Sequence, residues 1–251
     1  MGDEIMKSYY GRKQFLTTSQ MDANNQLSLM ACMGMFQDIA TEHCIPLGWD
    51  HSGFLAKNHA FWAVTKIKLR IKQMPTAFDW VTLETWMTPP TVVRFERDCR
   101  IIMGKQTLVE AKMEWVVLDA TTHRPRAVKT IDYPTNLKYL SERTIEEGFD
   151  QLEIDPQQAT KCYSRTIYYS DTDLNHHTNN CVYSRFVLDC FDEQFLLQHQ
   201  LIDYEIHFVN ESHSGEVLDF YKVDHDNTSI VEARTADKVI VRAKLVFANA
   251  E

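Results

Sequence analysis

The sequence has no surplus of basic residues: 26 Lys and Arg stand against 35 Asp and Glu, a formal net charge of -9. That balance argues against a nucleic-acid partner, because neutralising phosphates takes a cationic surface. An acidic partner would need a local basic patch. No stretch approaches the ~18 apolar residues of a membrane-crossing helix, so no membrane span is expected. The opening MGDEIMKSYY lacks the basic and apolar regions of a secretion signal and the Ser or Thr of a myristoylation signal, which points to the cytoplasm. Cys32, Cys44, Cys99, Cys162, Cys181 and Cys190 form no C-x-x-C pair. Neither a zinc site nor a disulfide framework is therefore expected, and most of them read as small core residues.

What is present is a soluble globular composition, 44% hydrophobic and 24% charged over 251 residues, enough for one large domain or two ordinary ones. Residues 9–17 predict a strand, and 28–44 a helix with Leu29, Met33, Phe36 and Ala40 on one face. Strands follow at 59–73, 80–88, 91–103 and 106–119, separated by breakers such as PTAFD, TPPT and MGKQ. The order then repeats: a strand at 161–169, a polar loop, a helix over 180–198, and strands at 201–210, 215–225, 228–235 and 238–248. Within LVEAKMEWVV and IVRAKLVFAN, residues Val109, Ala111 and Lys112 correspond to Val241, Ala243 and Lys244. The division expected is an N-terminal unit over 1–128, a charged, strand-poor connector over 129–158 and a C-terminal unit over 159–251. A helix followed by an antiparallel meander, twice over, predicts an α+β double hot-dog, one continuous sheet around two central helices.

The polar loop lies in SDTDLNHHTNNCVYSRF, residues 170–186. Asp173, Asn175 and His177 alternate, so an extended backbone turns all three to the same side. Asn179 or Asn180 then caps a helix that buries Tyr183, Phe186, Val187 and Cys190. Backbone N–H groups and the positive helix end at this point suit a developing oxyanion. The same composition also serves ordinary turn and cap chemistry. A second carboxylate, Glu211 in HFVNESHSGEV, ends the strand after that helix. Such a residue is ordinarily a solvated rim group, but this fold would let it return to the loop.

At these residues the chain resembles the fatty acyl-ACP thioesterases of plants and bacteria over nearly its full length, and it looks like a bacterial member without a transit peptide. The motif D-x-N-x-H-x-x-N stands as Asp173, Asn175, His177 and Asn180, and VNESHSGEV resembles the family's strand with an acidic residue, here Glu211. LGWDHSGF, HAFWAVTKIKLRI, WVTLETWM and EWVVLDATTHRPRAV are similar to its N-terminal hot-dog. The resemblance implies a double hot-dog that hydrolyses fatty acyl thioesters on acyl carrier protein with no metal or organic cofactor. It also implies catalytic residues Asp173, Asn175, His177 and Glu211. Plant relatives carry Cys after the acidic residue where this chain has Ser212, which excludes a thiol nucleophile at that position.

The expected mechanism is attack by water, with Glu211 as general base and Asn175 plus a helix-terminal N–H polarising the carbonyl. His177 positions the water or protonates the leaving thiolate, and Asp173 orients the loop. Met30, Met33, Met35 and Phe36 would line an acyl tunnel, though a Met-rich helix face equally serves as plain core. Docking of the acidic carrier would use Lys66, Lys68, Arg70 and Lys72, which alternate in KIKLRIK, or Arg124, Arg126 and Lys129 in HRPRAVK. An ordinary solvated face is the other reading of those cations. Competing functions are an acyl-CoA thioesterase, a non-catalytic acyl-binding module and an enoyl hydratase. Against the hydratase, Thr178 stands where such enzymes place His. One chain with two units would hold a complete site, and a homodimer is compatible with it.

Overall fold

A computed structural model of the chain describes residues 8–133 and 137–249. Its strands are β1 (Tyr9–Phe15), β2 (Ala60–Ile71), β3 (Trp80–Met87), β4 (Arg94–Met103), β5 (Gln106–Asp119), β6 (Thr160–Thr166), β7 (His199–Phe208), β8 (Val217–His225), β9 (Thr228–Arg234) and β10 (Val239–Asn249). Its α-helices are α1 (Leu29–Cys44), α2 (His51–Asn58), α3 (Asn180–Leu188) and α4 (Glu193–Gln198). No helix among the described residues is long and apolar enough to cross a membrane.

All strands join one ten-stranded antiparallel sheet in the order β1-β3-β4-β5-β2-β7-β10-β9-β8-β6. The order is symmetric about the β2–β7 junction, so the double hot-dog is present, and each half repeats the other. Lys68 faces Glu205 at the junction, with Lys112 opposite Lys68 on one side and Lys244 opposite Glu205 on the other. The two similar segments seen in the sequence therefore hold equivalent places. Alternation of side chains does the sorting: Ile67, Leu69 and Ile71 on β2, and Tyr204 and Ile206 on β7, are buried against the helix layer. α1 starts where Ser28 accepts a hydrogen bond from the Ala31 N–H (3.2 Å), and its Met33, Phe36 and Ile39 are fully buried in the main core.

The opposite face of the sheet carries charges, and the connector crosses it. Arg143 pairs with Asp98 (2.9 Å) and Glu96 (2.6 Å), and the Thr144 N–H donates to Asp98 (3.0 Å). Further along, Asp150 accepts from Lys244 (2.6 Å), which holds its carboxyl below the usual range, while its N–H donates to Glu205 (2.8 Å). The connector thus straps both halves together over the pseudo-two-fold axis.

That strap corrects one expectation. Lys66, Lys68, Arg70 and Lys72 do share a face, but it is not a free cationic surface. Lys68 is buried beneath the connector and pairs with Glu205 at 3.0 Å. Lys66, Arg70 and Lys72 pair with Glu114, Glu147 and Glu110.

Two helical details also differ from expectation. The helix read over 180–198 is broken after Leu188, because Asp192 accepts from the Phe195 N–H (2.7 Å) and caps a new helix, α4. The short α2 was not anticipated: Asp50 caps it, and among its residues only Phe54 is buried, too few for a periodic signal.

Candidate active site

The loop before α3 is a tight turn rather than an extended segment. Thr172 bridges to Thr178, the Asp173 N–H donates to the His177 carbonyl (2.9 Å), and His176 takes a positive φ of 62°. The Asp173 carboxylate accepts the Asn175 N–H at 2.8 Å, which sets the turn's shape. Asn175 consequently sits exposed at the tip, while His177 comes out half-buried at the turn's far end. Asn179 is the helix cap, accepting from the Cys181 N–H at 2.8 Å. The expected common orientation of Asp173, Asn175 and His177 is therefore replaced by separate positions, because the Asx interaction bends the chain.

His177 is paired in an antiparallel bridge with His213, on the segment after β7. Ser212 and Thr178 point inward and are buried. The Ser212 hydroxyl is held between Thr178 Oγ1 and the Tyr183 hydroxyl, each at 2.6 Å. Burial pushes the Tyr183 phenol up to about 12, so it stays neutral in this chain of hydroxyls. Ser212 is thus a clamp on the bridge and offers no exposed nucleophile. Its neighbours Glu211 and His213 turn the other way. Glu211 Oε2 lies 3.4 Å from His177 Nε2, and the His177 and His213 rings meet edge-on with centroids 4.9 Å apart. Lys238 donates to the Glu211 carbonyl at 2.7 Å, and Glu216 accepts the His213 N–H at 2.7 Å. Gly215, at φ 92°, closes the turn between β7 and β8 in a conformation that other residues rarely adopt.

Leu174, from the same turn, lines a cavity of about 240 Å³ that otherwise belongs to the N-terminal half. Ala40, Thr41 and Cys44 from the end of α1, Trp49, Trp62, Met87, Phe95, Trp115 and Tyr133 form most of its wall. Arg97 adds a buried guanidinium that donates to Thr85 Oγ1 and approaches His43 Nδ1, both at 3.0 Å. Met30, Met33 and Phe36 are not in this wall. Met33 and Phe36 are packed in the main core, and Met30 faces outward. The cavity opens at the C-terminal end of α1, where Ala40 leaves room, and not along the Met-rich stretch. Of the second proposed cationic patch, Arg126 is tied to the carbonyls of Asn58 (2.7 Å) and Thr130 (2.5 Å), whereas Arg124 is exposed.

The first half contains a twin of the turn. Asp22 Oδ1 accepts the Asn24 N–H at 2.8 Å, Asn25 has φ 56°, and Ser28 caps α1 as Asn179 caps α3. Gln26 bridges to Thr76 as His177 does to His213, and the Leu27 N–H donates to Pro75 as Thr178 does to Ser212. In this twin Gln26 stands in the place of His177 and Met74 in that of Glu211, so the backbone geometry persists without the imidazole and the carboxylate. The cavity in the second half is lined by Lys222, Asp192, Asp224, Asp226 and Ser229 together with Phe191, Phe195 and Phe247. Phe191 follows its cap at the same spacing as Ala40. The His177–Glu211 contact stands in one half and the apolar cavity in the other. His213 was missed from sequence, although Glu211-x-His213 alternation places it beside Glu211.

Two family descriptions match the chain: acyl-ACP thioesterase N-terminal domain over residues 7–132 and acyl-ACP thioesterase C-terminal domain over 154–246. The palmitoyl-acyl carrier protein thioesterase of Gossypium hirsutum is 25% identical over 212 residues, 79% of this chain and 51% of that protein. Oleoyl-acyl carrier protein thioesterase 2 of Arabidopsis thaliana is 19% identical over 90% of this chain and 66% of its own length. The chain therefore spans about half to two thirds of these chloroplastic relatives. In fold it is similar to an acyl-ACP thioesterase from Bacteroides thetaiotaomicron (TM-score 0.85, 19% identity, 96% of this chain and 98% of that one). It is also similar to the 12:0-ACP thioesterase from Umbellularia californica (TM-score 0.83, 15% identity, 96% and 98% covered).

Proposed function

Because the chain belongs to the acyl-ACP thioesterase family, we propose that it hydrolyses the thioester of fatty acyl chains on acyl carrier protein, releasing free fatty acid and the carrier thiol. The observation that carries this reading is the approach of Glu211 to His177 at 3.4 Å, on a turn whose Leu174 walls an apolar cavity. In this reading a chain lying in that cavity brings its thioester to the turn that carries Leu174 and His177. Glu211 takes a proton from the attacking water, and His177 orients that water and returns a proton to the thiolate. Asn175, free at the tip of the turn, and the N–H groups opening α3 supply the polarising donors. Asp173 acts by shaping the turn. The pair is longer than a charged hydrogen bond of about 2.8 Å, in keeping with catalytic contacts that tighten around substrate.

The cavity's placement has a testable consequence for chain length. Ala40→Leu projects a larger side chain into it, and each methylene excluded from apolar burial forfeits about 0.8 kcal/mol. The variant is expected to shift the best substrate two to four carbons shorter, by roughly ten-fold or more in relative kcat/KM for the longest chains. Unchanged selectivity across a chain-length series would remove the cavity as the acyl site.

For carrier docking, Arg124 and Lys129 are the exposed residues of the second cationic group, and Arg124 is the one tested first. Arg124→Glu should raise KM for the carrier-bound substrate several-fold with kcat unchanged, since rim charges act on encounter. The parent's KM in that variant would rule this surface out. Cavity and proton-transfer groups lie in one chain, so a monomer suffices and a homodimer is not required. The six cysteines are all unpaired, which is compatible with a reducing compartment such as the cytoplasm proposed here.

A further inference from the structure

We propose that His177, Glu211 and His213 form a binding site for a divalent transition-metal ion, zinc foremost, and that its occupancy blocks the hydrolytic site. The blocking half rests on the function proposed above; the binding half does not.

The backbone prepares the site. His177 and His213 are directly opposed in an antiparallel bridge, so their side chains leave the same face a short distance apart. Glu211 precedes His213 by two positions, which puts its carboxylate on that face as well. The buried hydroxyls of Thr178, Ser212 and Tyr183 fix the bridge from behind, so the three donors are held together before any ion arrives.

The distances suit a first-row metal. One ligand atom from each residue lies within 4.8 Å of the other two. His177 Nε2 and Glu211 Oε2 are 3.4 Å apart, long for a hydrogen bond. Tetrahedral zinc with bonds of about 2.0–2.2 Å has ligand–ligand edges of roughly 3.4 Å. His213 is exposed, and the hydrogen bond of its ring is a long one, Nδ1 to the His176 carbonyl at 3.4 Å, so a small side-chain rotation brings a ring nitrogen to the third corner. Two imidazoles and one carboxylate leave a fourth position open to water, a donor set that zinc accepts readily. The neighbouring Lys238 is held by the Glu211 carbonyl, and the neighbouring Glu216 adds negative charge close to His213.

Coordination uses the lone pairs that the proposed mechanism needs. A metal on His177 and Glu211 leaves neither able to exchange a proton with water or thiolate, and the ion occupies the place where the attacking water is oriented. His213, by contrast, is given no role in hydrolysis here. It therefore separates metal binding from turnover.

The test is calorimetric titration of zinc chloride into the full chain, alongside His177→Ala, His213→Ala and His213→Gln, with hydrolysis assayed in parallel in chelator-treated buffer. One zinc per chain is expected at micromolar concentrations or below. Each His variant should lose at least ten-fold in affinity, and both His213 variants should keep turnover while needing at least ten-fold more zinc for half-inhibition. Absence of micromolar binding, or equal affinity in the parent and all three variants, overturns the site. Turnover that persists or rises at zinc saturation overturns the blocking role. If zinc binds and the His variants lose it while no form releases fatty acid, the site stands and the hydrolytic reading fails instead.

Discussion

Glu211→Gln is expected to lower kcat by about 10²–10⁴-fold while leaving the fold and acyl binding intact. The substitution is nearly isosteric, and the Glu211 side chain is partly exposed, so little packing changes. What is lost is the ability to accept a proton from water beside His177. His177→Ala should fall in a similar range, and because the two act on one proton path their combined loss should be well short of the product. Equal KM with reduced kcat marks a group that works in the transition state. Near-parental turnover in both folded variants would contradict the assignment.

The second large effect concerns stability and lies far from that site. Glu205→Leu should destabilise the chain by about 3 kcal/mol, because it removes the nearer and fully buried carboxylate of buried Lys68 and leaves only Asp150, at 3.9 Å. Lys112 and Lys244 flank the same row of the sheet, so the loss of Glu205 exposes cations to one another across β5, β2, β7 and β10. The Asp150 N–H and His207 also lose an acceptor. Since whole domains are stable by only about 5–15 kcal/mol, the denaturant midpoint should fall markedly. Adding Lys68→Met should recover part of the loss, as a buried pair replaced by apolar residues is often neutral. A midpoint unchanged in the single variant would mean that the row is hydrated and that the connector does not seal it.

Much of the architecture is legible in the sequence because strands that bury one face alternate strictly. β5 was expected at 106–119 and lies at Gln106–Asp119, and the matching of Lys112 with Lys244 holds in the sheet register. The cationic stripe on β2 was misread for a reason the strand itself cannot reveal: alternation tells which residues share a face, not what crosses over it. Similarly, Met33 and Phe36 are equally apolar whether they line a cavity or a core. The space lies where Ala40 is small, beside Trp62, Phe95 and Trp115 of β2, β4 and β5.

The turn was recognised as polar and poised before a helix, but its bend follows from Asp173 capping the Asn175 N–H, which an alternating pattern does not encode. The sequence also carries the internal repeat of this turn. MDANNQLS in the first half parallels TDLNHHTN in the second, and QMPT parallels NESH. Setting these side by side shows two equivalent turns that differ in chemistry at Gln26 against His177 and Met74 against Glu211.

Cleavage of thioesters, rather than mere retention of acyl chains, is the activity proposed for the turn beside this cavity. Incubating the chain with acyl-carrier and acyl-CoA substrates of matched length, and quantifying free thiol together with free fatty acid, tests it most directly. Many equivalents of both products per chain, released faster from the carrier than from CoA, are predicted. One acyl group retained per chain with no thiol set free would contradict it.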